Sequence, residues 1–170
     1  QPPDIIAVNR TNLMPKPMLD LLPDVRYGFI NLHTGLSPYT RGGNCNLYAL
    51  LEGHPEWVGV TIHHIDAGID SGDLIHTAQV QMQADDLFDH IDLRTFRLGN
   101  DLLVDFLSRV ATKTAPRVPQ WMPGRLYLKR TGFEYEPWHW YQVNRVLKQG
   151  LVRRYLANPN EPGREVRLVE

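Results

Sequence analysis

Short apolar runs, broken by turns bearing glycine and proline and interleaved with stretches of helical spacing, constrain the fold of this chain most. Ile5-Ile6-Ala7-Val8 reads as a buried parallel strand, and Gly28-Phe29-Ile30-Asn31 as a second that ends on a polar residue. Residues 58–65 are rich in β-branched side chains and read as a third strand. Residues 74–82 read as a fourth, pairing antiparallel with the third if the turn 66–72, with its two glycines, is tight. Between these lie a polar turn at 9–12, a short helix at 18–22, an irregular Gly/Pro loop at 34–43 and a helix at 46–52 stopped by Gly53 and Pro55. Strand, helix, strand, helix, strand is the pattern of an α/β fold with an open, mostly parallel sheet. Ligands of such sheets sit outside the carboxyl ends of the strands.

The longest helix is predicted where Leu87, Ile91, Leu98, Leu102, Leu103, Phe106, Leu107 and Val110 recur mostly at spacings of three and four, with Asp85 as N-cap. Residues 112–123 carry three prolines and no periodicity, so they read as linker. A strand at 125–129, a helix at 138–147 closed by Gly150 and a polar, frayed tail at 156–170 follow. The expected division is a catalytic unit at 1–111 and a linker with a small α/β extension at 112–170. The chain opens at Gln1 almost directly on an apolar strand, as expected of a sheet that lacks its N-terminal part.

Charge nearly balances, with 18 Lys and Arg against 19 Asp and Glu, so there is no global pull toward nucleic acid or an anionic membrane. The single Cys45 excludes an internal disulfide, and one cysteine with seven histidines shows no zinc spacing, so no metal is expected. No apolar run approaches the ~20 residues of a membrane helix, and no signal peptide is visible, which makes a cytoplasmic setting the expectation.

Asn31 at a strand end, His33 two residues on and Asp70 in the turn after the third strand form a constellation suited to acyl transfer. An amide and an imidazole can stabilise an oxyanion, and a carboxylate can take a proton. Each residue alone has a plainer role: Asn31 and Asp70 as turn formers, His33 as a satisfied loop histidine, and Asp66 as a competitor for the part given to Asp70. His63 and His64 are adjacent, so on a strand one lines the core or site and the other faces solvent. His54 and His76 read as surface, and Arg41 as either structural or substrate-contacting. Trp138, Trp140 and Tyr141 read as packing, and Arg153-Arg154 as solvated.

Two segments carry a resemblance. Asn31, His33, Pro38, Tyr39, Arg41 and Gly42 match an Asn-x-His pattern followed by Leu-Pro, an aromatic and Arg-Gly. Gly59-Val60-Thr61-Ile62-His63 and then Asp66, Gly68, Asp70 and Gly72 match a second pattern nearly in full. Together with Pro3-Asp4 and Leu13-Met14-Pro15-Lys16, they resemble the folate-dependent formyltransferases over roughly residues 3–110: the methionyl-tRNA, glycinamide ribonucleotide and sugar N-formyltransferases. The resemblance implies a Rossmann-like sheet, 10-formyltetrahydrofolate as co-substrate and a primary amine as acceptor, with Asn31, His33 and Asp70 catalytic. It also implies a charged His33 held by Asp70, and folate lying along Leu13, Met14, Ile65, Asp66 and Gly68. Thr34 and Ser37 depart from the residues common there, and the turn 9–12 is a residue short. The preferred acceptor is a small molecule, a nucleotide-linked amino sugar, because no second barrel domain or basic bias suggests tRNA. Alternatives are a methionyl-tRNA formyltransferase-like protein, a formyltetrahydrofolate hydrolase, and a non-catalytic folate-binding or interaction fragment. A homodimer remains open, and a membrane partner is not expected.

Overall fold

The structure, a computed structural model, describes residues 3–110, 116–128, 136–159 and 161–170. Strands β1 (Ile6–Asn9), β2 (Phe29–His33), β4 (Gly59–His64) and β5 (Leu74–Gln79) form one sheet in the order β1-β2-β4-β5. β1 pairs parallel with β2, and β2–β4 and β4–β5 pair antiparallel, so within this sheet the parallel character is confined to one pair. The short β3 (Thr40–Gly42) lies inside the loop 34–43 and pairs parallel with β6 (Arg125–Tyr127).

The two-residue period of the strands separates core from site. Ile30 and Leu32 of β2, with Val60 and Ile62 of β4 and Ile75 of β5, bury themselves against Leu98, Leu102, Leu103, Phe106 and Leu107 of α3 (Phe88–Arg109). Each such side chain contributes about 1.5–3 kcal/mol relative to exposure. Gly99 of α3 allows the approach, since a Cβ there would meet Leu32 at 2.9 Å. Asn31, His33, Thr61 and His63 therefore project from the other face. A second core gathers α2 (Cys45–Leu51), α4 (Pro137–Lys148) and α5 (Leu151–Ala157) around Leu47, Leu50, Tyr127, Val143 and Leu147.

Several elements differ from the sequence reading. β1 is only half-buried, because it is an edge strand among the described residues. The first helix lies earlier, as α1 (Lys16–Leu19) followed by a 3-10 turn at Leu22–Asp24. α3 starts from Leu87 rather than Asp85, and its Phe88 N–H donates to Asn144 Oδ1 of α4 at 2.9 Å, a cap supplied across the fold. Within the stretch read as linker, Val118 and Leu74 exchange two backbone hydrogen bonds of 2.8 and 3.0 Å. Residues 112–115 and the end of the 125–129 strand lie outside the described residues. Nor is the tail frayed. α5 occupies Leu151–Ala157, and Val169 is buried and exchanges hydrogen bonds of 2.8 Å with Thr77. Trp138 and Tyr141 stack on each other in solvent instead of packing in the core, because they face away from Val143 and Leu147. Among the described residues no helix is long and apolar enough to cross a membrane.

Candidate active site

β2 delivers Asn31 and His33 to one face, and the turn after β4 returns Asp70 to them. Asn31 Nδ2 donates to Asp70 Oδ1 at 3.1 Å, and His33 Nδ1 lies 3.5 Å from Asp70 Oδ2. The Gly42 amide donates to Asp70 Oδ2 at 2.9 Å, which ties the turn to β3. The three candidate catalytic residues thus converge, with His33 at the end of β2, Asp70 in the turn after β4, and Asn31 mid-strand rather than at a strand end.

His63 completes the cluster, and the sequence reading did not commit to it. It sits opposite Asn31 in the β2–β4 register, with Nε2 3.2 Å from Asn31 Nδ2 and 3.3 Å from Asp70 Oδ1. Its Nδ1 contacts the His64 carbonyl at 2.8 Å, so that nitrogen carries the proton, and in the neutral ring Nε2 accepts. The signal was in the alternation: Val60 and Ile62 face the core, so His63 falls on the face of Asn31. His64 is not on the surface either, being 3% exposed with Nε2 3.2 Å from the Pro116 carbonyl.

Electrostatics assign the charges. Burial would raise the Asp70 pKa, but the imidazoles of His33 and His63 and the Gly42 N–H outweigh it and hold the carboxyl well below the usual carboxylate range. His33 moves against its expected role. Burial lowers its pKa by more than the Asp70 charge raises it, which favours a neutral ring instead of an imidazolium. Its Nε2 is buried against Gly35 with no hydrogen-bond partner among the described residues. Cys45, behind the loop, has its thiol pKa raised by burial and offers no nucleophile.

Two adjoining cavities meet at this cluster. The first, about 380 Å³, is lined by all five residues assigned to folate, Leu13, Met14, Ile65, Asp66 and Gly68, together with His63. The second, about 250 Å³, is lined by Asn9, Arg10, His33, Thr34 and Asn44. Thr11, Asn31, Gly42, Gly43 and Asp70 line both. Arg41 lines neither. Gly68 serves its own turn rather than a ligand's approach. A Cβ there would lie 2.0 Å from Ser71 Oγ, and Asp66 Oδ1 accepts from both the Gly68 N–H and Ser71 Oγ, at 3.0 and 2.8 Å.

Residues 2–107 match the family described as formyl transferase. The methionyl-tRNA formyltransferase of Latilactobacillus sakei is 35% identical over 124 residues, which cover 71% of this chain and 36% of that protein. The chain spans little more than a third of the length of the first curated relatives it matches, 36% and 37%. Among solved structures, the formyltransferase PseJ from Anoxybacillus kamchatkensis, in complex with UDP-4,6-dideoxy-4-formamido-L-AltNAc and tetrahydrofolate, superposes with a TM-score of 0.69 at 24% identity, covering 83% of this chain and 76% of that one. A sugar N-formyltransferase from a Shewanella species gives 0.65 at 20% identity, covering 85% and 59%. These likenesses support the α/β Rossmann-like class; the sequence match carries the family.

Proposed function

The chain belongs to the formyl transferase family, and from that premise we propose that it moves a formyl group from 10-formyltetrahydrofolate to a primary amine, with Asn31, His33 and Asp70 at the reacting centre. The observation that carries this is the meeting of Asn31 and Asp70, 3.1 Å apart, at the junction of two cavities of different character. The first has apolar walls from Val8, Leu13, Met14, Ile65, Ile69 and Leu128, which suit the flat pterin of a folate. The second presents amides, hydroxyls and a guanidinium from Asn9, Thr11, Thr34, Asn44 and Arg10, which suit a hydroxyl-rich, anionic acceptor. The folate supplies the formyl carbon; the rest of the chemistry falls to this chain's side chains.

Negative charge builds on the formyl oxygen as the amine attacks. Asn31 meets that charge by turning one N–H from His63 Nε2 to the oxygen, an uncharged donor of a kind worth roughly 3–4 kcal/mol. Asp70 accepts the amine proton, directly or through water, and that proton passes to the folate nitrogen as its bond to the formyl carbon breaks, so that tetrahydrofolate leaves and the formamide remains. Its low proton affinity is a property of the resting cluster, and the charge growing on the neighbouring oxygen raises it when the proton must leave. His33 contributes as a neutral ring over Asp70 Oδ2. In this reading the catalytic unit takes in the described residues 116–128, which the pairing of Val118 with Leu74 and of β6 with β3 supports.

The acceptor in this proposal is a nucleotide-linked amino sugar, whose phosphates Arg10 can meet. A second choice is methionyl-tRNA, favoured by the relatives at 35% identity. Against it, a formal net charge of −1 gives no field for a polyphosphate. Transfer to amino-sugar nucleotides, methionyl-tRNA and water, measured side by side, separates the three. Formylated sugar nucleotide as the dominant product is expected. Formyl-methionyl-tRNA, or free formate alone, would replace this choice of acceptor.

A further inference from the structure

The family match ends at residue 107, yet the turn that carries Asp70 is gripped by a side chain beyond it. Gln120 Nε2 donates to the Asp70 carbonyl at 2.8 Å and to the Gly72 carbonyl at 3.0 Å, which uses both amide hydrogens. Two carbonyl acceptors fix the way the amide faces, since the flipped group would aim its own oxygen at theirs. Its Oε1 is buried with no hydrogen-bond partner among the described residues, so the amide's polar contacts are the two to this turn.

The backbone it holds is one that resists its own conformation. Asp70 has a φ of 45°, in the left-handed region that a residue with a Cβ enters at a cost. Gly72 lies so close to β4 that a Cβ would come within 1.9 Å of the His64 carbonyl oxygen. The strap bearing Gln120 is pinned on both sides. Val118 exchanges backbone hydrogen bonds with Leu74, and Arg125 N–H donates to the Tyr39 carbonyl at 2.8 Å.

We propose that Gln120 is a positioning residue for formyl transfer: it acts through Asp70, clamping the 70–72 backbone so that the carboxylate meets Asn31, His33 and the Gly42 amide at once. The inference rests on the role given to Asp70 above. Its mechanism is geometric. The Asp70 side chain is fixed by Asn31 and Gly42 at its oxygens and by Gln120 at its peptide, and rotation of that peptide would swing both oxygens off their donors.

Gln120→Met keeps the length of the side chain and removes both donors. In steady-state transfer from 10-formyltetrahydrofolate with the full chain, it should lower kcat about tenfold to a hundredfold, with the folate KM nearly unchanged. Gln120→Glu keeps a donor only while its carboxyl is protonated. Its rate relative to the unaltered chain should therefore fall as pH rises, because the ionised group repels both carbonyl oxygens. A readout that needs no turnover is the NMR titration of His33. Loss of the Asp70 charge from its side should lower that midpoint further, in Gln120→Met as in Asp70→Asn. An unchanged kcat and an unchanged His33 titration in Gln120→Met, beside large changes in Asp70→Asn, would overturn the positioning role and leave Asp70 in place. Full activity in Asp70→Asn would instead overturn the role of Asp70, and with it the inference drawn from it.

Discussion

Asp70→Asn should reduce formyl transfer by ~10²–10⁴-fold, the range of general-base contributions, while folate affinity stays within a few-fold. The change is nearly isosteric, and five of the residues facing the folate cavity, Leu13, Met14, Ile65, Asp66 and Gly68, lie elsewhere. The amide can still accept from Gly42, but its NH₂ then faces the Asn31 donor and cannot take a proton. The pH profile should carry a second mark. Asp70 is held below the usual carboxylate range, so it is ionised throughout the working range, and the acid limb of kcat/KM follows deprotonation of the acceptor amine. Asp66→Asn should be far milder, since Asp66 closes its own turn through Gly68 and Ser71. Single-turnover rates for both variants check the assignment. Near-normal transfer in Asp70→Asn with collapse in Asp66→Asn would show that the wrong carboxylate was chosen.

Gly42→Ala should damage stability and activity together. Gly42 has a φ of +95°, and a Cβ would stand 2.1 Å from the Tyr127 carbonyl oxygen. That oxygen is backbone and already accepts from the Gly43 N–H at 2.9 Å, so it cannot yield without parting β3 from β6. The left-handed φ adds its own strain. A loss of about 2–4 kcal/mol is expected, read from the urea midpoint at constant m-value. Transfer should fall further than unfolding accounts for, because the same residue's N–H holds Asp70 Oδ2. A variant within about 0.5 kcal/mol of the parent, the range of an ordinary surface change, and fully active would refute the tight β3–β6 contact.

What the sequence made legible was local. The β-branched side chains of residues 58–65 and the spacing of Leu98, Leu102 and Phe106 reveal which elements form, since both are local properties of the chain. The Asn31, His33 and Asp70 cluster was legible because two long motifs place it; any one of the three would pass as a turn residue. Strand direction was not legible. Whether β4 runs parallel or antiparallel to β2 is decided by the path of the connection through α2 and the loop, which leaves no mark on either strand. The same lack of a local mark hid the long-range ties: Asn144 capping α3, Val169 on Thr77, and Gln120 on Asp70. His33 shows a different failure. Its motif implies a charge, but burial, a tertiary property, lowers its pKa.

The division of the cleft into a folate lobe and an acceptor lobe that meet at Asn31 and Asp70 is the central claim. Titration with tetrahydrofolate, followed by amide and side-chain NMR, tests it most directly. The account predicts shifts at Leu13, Met14, Ile65, Asp66 and Gly68 and at the Asn31 side-chain amide, with Thr34 and Asn44 unmoved until an amino-sugar nucleotide is added. Shifts centred on Thr34 and Asn44 with tetrahydrofolate alone, and none at Met14 or Ile65, would contradict it.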